Sequence, residues 1–276
     1  TGMNAYINAQ GFPVIGMISV TIGAASNLIL DPLFIFGWKL GVSGAAVATV
    51  LSQLLSFLFV LSFLFGKKNE LPVCFAWSFP YAGAIMSLGL APFIMQVTNS
   101  LVQIACNSVL MRYGGAVFVS IMTIVSSVRS ILDVPVMAIT DGASPSISYN
   151  YGAGRPQNVR KAIRVMMALA LPYTVAVWAL VMAVPQIFVR IFSEDAAILE
   201  GASRALHLYF FAFVFQSFQY SGQTVFKALN KKGNAIFFSL FRKVILVVPL
   251  TFLLPAAAGL GTDGVFIAEP VSNLIG

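Results

Sequence analysis

The chain has 276 residues, of which 59% are hydrophobic and only 9% are charged, and its mean hydropathy is +0.90. Soluble domains carry about 25% charged residues, so this composition excludes a soluble globular protein and indicates a polytopic membrane protein. Hydropathy this high also argues against an outer-membrane barrel of alternating strands. The net charge of +7 fits cationic cytoplasmic loops rather than a nucleic-acid-binding surface.

Eight apolar segments of helical length follow one another along the chain. Each of the first seven is long enough to cross about 30 Å of hydrocarbon at about 1.5 Å per residue. Short connections rich in Gly, Pro, Asn and charged residues separate them, as turns require. We therefore predict an all-α polytopic membrane protein with about eight transmembrane helices. These helices span 13–36, 44–65, 80–111, 117–143, 161–188, 202–227, 234–256 and 263 to the last residue.

The cationic residues of the loops predict the orientation in the membrane. Cations gather in cytoplasmic loops, and one set of alternate connections holds nine of them against four in the other set. The richer set is therefore expected to be cytoplasmic, with residue 1 on that side. It comprises Lys67, Lys68, Arg155, Arg160, Lys161, Arg164, Lys227, Lys231 and Lys232; the poorer set comprises Lys39, Arg112, Arg190 and Arg204.

An internal repeat relates the first two predicted helices to the last two. The stretch "LGVSGAAVATVLSQLLS" at 40–56 aligns without gaps with "LGTDGVFIAEPVSNLIG" at 260–276. Parallel repeats of this kind are common in transporters. The polar stretch 67–79 predicts a cytoplasmic linker. We expect residues 1–66 to be the last two helices of one lobe, with four helices preceding this chain, and residues 80–276 to be a six-helix lobe with a truncated last helix.

Asn27 and Asp31 lie one helical turn apart in the first apolar segment, so both side chains share one face. Pro32 has no N–H and crowds the carbonyl of Leu28, which predicts a hinge beside the carboxylate. Thr49 in the next helix is expected at a similar depth, about 7–8 Å below the outer end. These oxygens suit a proton or a small hard cation. The alternative is an interfacial Asp31 that ends a helix before Pro32.

Three stretches together resemble the multidrug and toxic compound extrusion (MATE) family of secondary transporters. They are "GAASNLILDPLFIF", "LGVSGAAVAT" and "SPSISYNYGAGR", and the later "FRKVILVVPL" fits as well. The resemblance covers essentially the whole chain and implies the last helices of the N-lobe and most of the C-lobe. It also implies that Asn27, Asp31 and Thr49 belong to the N-lobe cation site, whose fourth member, an Asp on the first helix, would precede this chain.

The repeat predicts a second acidic position. At the repeat offset of 220 residues, Glu269 takes the place of Thr49. Glu269 is followed by a proline, as Asp31 is. We expect Glu269 to be a second titratable group that faces the cavity of the second lobe. The alternatives are an outer-edge position and a pairing with Arg242 or Lys243.

Further polar side chains lie within the third, fourth and sixth predicted helices. Arg129 and Asp133 stand four residues apart and are expected to neutralise each other, since ionisable residues inside membranes usually pair. An amide and aromatic face of the sixth helix could bind flat organic cations by stacking and cation–π contact, or form hydrogen bonds between helices. The predicted substrate-facing residues are Gln96, Asn99, Gln216, Gln219, Tyr220 and Gln223.

The function implied by the resemblance is a cation-coupled antiporter, driven by H⁺ or Na⁺, that exports organic and often cationic drugs by alternating access. No phosphate-binding G-x-x-x-x-G-K-[ST] motif occurs, so we expect no ATP-driven pump, no enzyme, no cofactor, no metal site and no nucleic-acid partner. We expect a monomer in the plasma (inner) membrane. The alternatives are a lipid-linked oligosaccharide flippase of the same superfamily, with Arg129, Arg242 and Lys243 as its candidate cations, and a channel or membrane scaffold.

Overall fold

The computed structural model describes residues 3–66, 79–257 and 259–275, with a few side chains inside these ranges left out. Helices and short connections account for the described part, in which no strand occurs. The chain divides into two compact units, Thr1–Ser78 and Phe79–Gly276. Apart from Phe79, which begins a helix, the predicted linker lies outside the described residues, as do Lys67 and Lys68.

The first unit is a helical hairpin preceded by a short helix. The helices are α1 (Asn4–Ala9), α2 (Pro13–Pro32), which continues as a π-helix over Leu33–Gly37, and α3 (Gly41–Leu64). Proline suits the first position of α2, because an N–H there has no partner within the helix. The two long helices match the predicted ones in type and nearly in extent, whereas α1 was not predicted.

The described residues of the second unit form eight α-helices, which pack around a main apolar core and a smaller apolar cluster that includes Ile147. These are α4 (Phe79–Gly152), α5 (Pro156–Ala183), α6 (Pro185–Arg190), α7 (Ala196–Phe210), α8 (Gln216–Ala228), α9 (Lys232–Leu240), α10 (Val248–Ala257) and α11 (Thr262–Ile275). A π-helix, Phe241–Val247, joins α9 to α10. The largest buried apolar side chains of the core include Leu110, Ile121, Leu206, Phe210 and Phe266.

Two predicted helix boundaries in the region of α4 are wrong. The predicted loop 112–116 is reduced to a single non-helical residue, Gly115, whose φ of 70° is open to glycine at no steric cost. The helix after it runs on to Gly152 instead of ending at 143. Asn150 donates a hydrogen bond from Nδ2 to the Ser146 carbonyl at 2.9 Å, and the turn follows at Gly154 (φ 67°).

The predicted helix 202–227 is broken near its middle. A bend of 48° separates Ile198–Phe210 from Phe213–Ala228. The break leaves the Phe211 carbonyl outside the regular helical pattern, and the indole Nε1 of Trp178 donates to it at 3.0 Å. A side chain therefore satisfies a backbone group that would be costly to leave unpaired in hydrocarbon.

Five helices of the described part are long and apolar enough to cross a membrane, or six when the bent pair counts as one span. One of the five, Phe93–Gly152, contains the break at Gly115 and so holds two of the predicted spans. Large apolar side chains such as Leu28 and Phe36 are about three-quarters exposed, as lipid-facing residues would be. The protein is a multi-pass membrane protein, and the count of eight spans stays a prediction.

The internal repeat has the same close helix contact in both units. Gly44 lies so near the π-helix that continues α2 that a Cβ would stand 2.8 Å from the Phe34 carbonyl oxygen. Gly264 lies equally near α10, where a Cβ would stand 2.7 Å from the Pro255 nitrogen and 2.8 Å from the Leu254 carbonyl carbon. Positions 34 and 254 differ by the repeat offset of 220. The repeat is therefore a repeat of packing as well as of sequence.

Candidate cation site and polar cavity

The first unit brings Asn27, Asp31 and Thr49 together. The Asn27 amide Nδ2 donates to Asp31 Oδ1 at 3.3 Å and to Thr49 Oγ1 at 3.5 Å. The Thr49 hydroxyl in turn donates to the Ala45 carbonyl at 2.9 Å. Asn27 and Asp31 are half-buried and Thr49 is exposed. One amide thus links the carboxylate on α2 to the hydroxyl on α3.

This group of three offers oxygen atoms and a negative charge to a small cation. Within the described part of the chain, no Lys, Arg or His lies within ion-pair distance of Asp31. A carboxylate without a cationic partner is costly in an apolar medium. A proton or a hard metal cation can remove that cost, and oxygen ligands suit both.

Pro32 lies at the point where the α-helix becomes a π-helix. The proline itself is helical, with φ −60° and ψ −38°. The wider turn begins at Leu33, whose carbonyl accepts from the Trp38 amide at 2.9 Å, five residues on. The predicted hinge position therefore coincides with a change of helical pitch next to Asp31.

The second unit contains a polar cavity of about 290 Å³ between α4, α8 and the segment from α9 to the π-helix that follows it. All six predicted substrate-facing residues line it. They are Gln96, Asn99, Gln216, Gln219, Tyr220 and Gln223. Cationic side chains line it too. The predicted pocket for organic cations did not contain any of them. These are Arg129, Lys227, Arg242 and Lys243.

A buried network of charges forms one wall of this cavity. Arg129 Nε lies 3.2 Å from Asp133 Oδ2, and Arg129 Nη1 lies 2.9 Å from Glu269 Oε1. Glu269 Oε1 also lies 3.5 Å from Arg242 Nη1. The structure therefore places Arg129 and Asp133 in contact, as expected. It also places Glu269 between two arginines, of which only Arg242 was a predicted partner.

Neutral side chains extend the network. The Tyr220 hydroxyl donates to Asp133 Oδ2 at 3.1 Å, and Arg129 Nη1 donates to the Tyr209 hydroxyl at 2.6 Å. Tyr209 was not predicted to be part of a site, because no local spacing relates position 209 to position 129. Asn273 was not predicted either; its side chain accepts a hydrogen bond from Arg242 at 2.6 Å and donates one to Gln216 at 3.3 Å. The position of Asn273, one turn after Glu269, was the available signal.

Proteins named for multidrug export are similar in sequence to almost the whole of this chain. Multidrug export protein MepA of Staphylococcus aureus is 26% identical over 263 residues, covering 94% of this chain and 57% of MepA. MepA of Staphylococcus saprophyticus is 23% identical over the same length. This chain therefore spans a little over half the length of these relatives.

Solved structures share the fold. A multidrug resistance MATE transporter in its outward-facing conformation superposes with a TM-score of 0.91 at 24% identity, covering 99% of this chain and 62% of that one. A MATE structure in the straight conformation gives 0.92 at 23% identity with the same coverage. The chain thus has the same fold as these MATE structures. The MatE family model matches residues 92–253, and the chain belongs to that family.

Proposed function

We propose that the protein that contains this chain exports organic drugs across the plasma membrane as an H⁺- or Na⁺-coupled antiporter. Membership of the MatE family and the likeness to relatives named for multidrug export support this activity. The further elements of the proposal are alternating access of two lobes, a monomeric state, drugs that are often cationic, and the predicted cytoplasmic position of residue 1.

The group formed by Asn27, Asp31 and Thr49 carries the proposal of cation coupling. When Asp31 is ionised, its carboxylate accepts a hydrogen bond from Asn27. A proton on Asp31, or a Na⁺ held by its oxygens, removes the net negative charge of this group of three residues. It also changes the hydrogen bond that Asp31 accepts from Asn27. Because Asn27 also reaches Thr49 on α3, binding would alter the contact between α2 and α3. The π-helix after Pro32 is where we expect α2 to bend.

Replacing Asp31 tests the coupling role. The Asp31→Asn variant of the full-length protein keeps the shape of the side chain but cannot gain or lose a proton. We expect drug efflux from cells to fall to the level of cells without the transporter, with expression intact. The matched control is Glu194→Gln, an exposed acid between α6 and α7, which should leave efflux unchanged. Wild-type resistance in Asp31→Asn cells would refute the assignment.

The flippase alternative receives less support from the charges of the cavity. Its three candidate cations, Arg129, Arg242 and Lys243, do line one cavity. Two of them, however, are already in contact with acids. A pyrophosphate group brings at least two negative charges, which is more than the remaining positive charge can balance.

A further inference from the structure

The polar cavity of the second unit has more positive than negative charge around it. Arg129, Arg242 and Lys243 line it, and of these Arg242 is buried and the other two are half-buried. Lys243 interacts electrostatically with the carboxylates of Glu269 and Asp133. It also interacts with the guanidinium groups of Arg242 and Arg129. Three cations and two acids leave one positive charge. Two further lining residues, Lys227 and Asp141, are both exposed and balance each other, so the excess remains.

Each acid contacts its neighbours through one oxygen, and the buried Asp133 Oδ1 has no hydrogen-bond partner among the described residues. Asp133 Oδ2 accepts from Arg129 and from the Tyr220 hydroxyl. Glu269 Oε1 lies within ion-pair distance of Arg129 and Arg242. Asp133 balances the positive charge of Arg129. The two remaining cations, Arg242 and Lys243, then have only one carboxylate, Glu269, to balance them, and Glu269 also contacts Arg129.

Next to the cavity, within the described residues, one buried donor has no hydrogen-bond partner and one half-buried lysine has no ion pair. Arg242 is 4% exposed, and its buried Nε has no hydrogen-bond partner there. The Lys243 ammonium makes no hydrogen bond or ion pair with any described side chain. An unpaired donor on a buried cation is costly, so the Arg242 guanidinium, with the unpaired Lys243 next to it in sequence, is suited to receive an anion.

We propose that Arg242 and Lys243 bind the carboxylate of a small aromatic substrate in this cavity. A carboxylate carries the single negative charge that the excess calls for, and a guanidinium and an ammonium are its usual partners. Met95 and Met137 line the same cavity and offer a polarisable surface for an aromatic ring. A volume of about 290 Å³ suits one or two fused rings.

This inference rests on the proposed transport function and names a chemical class of substrate for it. It departs from the prediction that this set of side chains binds organic cations. A permanently charged cation here would face Arg242 and Lys243, and the nearby carboxylates are already paired. Drugs of that kind must then bind elsewhere in the protein or bring an acidic group of their own.

The test compares ligands that differ only in the acidic group. Naphthoate, methyl naphthoate and naphthyl phosphate are titrated against the purified full-length protein by calorimetry. We expect naphthoate to bind about tenfold more tightly than its ester, the size of effect expected for one charge-assisted contact. Lys243→Gln should abolish that preference, Lys243→Arg should retain it, and Lys231→Gln, an exposed lysine away from the cavity, should not change it.

Several results would overturn the proposal. These are equal affinity of wild type for acid and ester, an equal loss of both ligands in Lys243→Gln, and a more than tenfold preference for naphthyl phosphate, which would assign the site to a phosphate headgroup. If Lys243→Gln does not fold, the acid and ester comparison on wild type decides alone. Export of tetraphenylphosphonium from vesicles is measured in parallel. Failure of that export would count against the proposed export of cationic drugs and would leave the result of the binding experiment unaffected.

Discussion

At the scale of single residues, two carboxylates differ in their surroundings, and this difference decides which of them suits the coupling ion. Asp31 contacts an uncharged amide, and no cation of the described part stands within ion-pair distance of it. Glu269 lies between two arginines. A bound proton or Na⁺ would relieve an unbalanced charge at Asp31, whereas at Glu269 it would leave two guanidinium groups without their shared partner. Asp31 is therefore the better candidate for the residue that binds the coupling ion.

Glu269→Gln is expected to destabilise the protein and to alter transport. The variant leaves Arg129 and Arg242 buried without the carboxylate between them, and breaking a buried ion pair costs about 3–5 kcal/mol. Thermal unfolding of the purified protein should show a lower midpoint than that of the Glu194→Gln control. If Glu269 is also a titratable group of the transport cycle, the pH or Na⁺ dependence of efflux will change. Unchanged transport and unchanged dependence would rule out that role.

The pairings of these residues show what sequence alone can and cannot reveal. Arg129 with Asp133, and Asn27 with Asp31, are neighbours along one helix, so their spacing of four residues predicted their proximity. The contact between Arg129 and Glu269 depends on how α4 packs against α11, and no local spacing contains that information. The same holds for Tyr209, which is 80 residues from Arg129 along the chain.

At the scale of elements, a glycine in each unit sets the distance between two paired helices. Gly44 packs on the backbone of residue 34, and Gly264 on that of residues 254 and 255. Two further repeat positions are buried as well, Ala48 with Ala268 and Ser52 with Ser272. Small residues let membrane helices approach closely. The repeated sequence thus specifies a helical hairpin, on which α3 presents Thr49 and α11 presents Glu269.

Gly264→Ala is expected to loosen this hairpin. The added Cβ would stand 2.7 Å from a backbone nitrogen, and overpacking of this kind costs about 1–3 kcal/mol. The control is Gly142→Ala in α4, where nothing lies within 4 Å of the added carbon and alanine should stabilise the helix slightly. Thermal melts of the two variants should therefore move in opposite directions. Equal melting temperatures for both variants would contradict the close-packing argument.

Hydropathy and turn residues identified the long helices but misplaced their interruptions. Gly115 can interrupt α4 without a loop because glycine adopts a positive φ freely. The bend after Phe210 falls within an apolar run that contains no proline or glycine, so only tertiary contacts such as that of Trp178 with the Phe211 carbonyl explain how it is tolerated. Side-chain capping of this kind has no signature in hydropathy.

At the scale of the whole molecule, the two units contain different kinds of polar site. The first holds an acid next to neutral oxygens, and the second holds a cavity with an excess of positive charge. An antiporter must bind a driving ion and a substrate in one transport cycle. We propose that the first unit binds the driving cation and that the second binds the acidic part of the substrate.

Transport under separately imposed gradients tests the central claim most directly. The full-length protein and its Asp31→Asn variant are reconstituted in vesicles, and drug flux is measured under a proton gradient, a Na⁺ gradient or neither. We predict that at least one gradient drives uphill transport by the wild type and that neither drives it in Asp31→Asn. Uphill transport by Asp31→Asn equal to that of the wild type, or wild-type flux that ignores both gradients, would contradict cation coupling at Asp31.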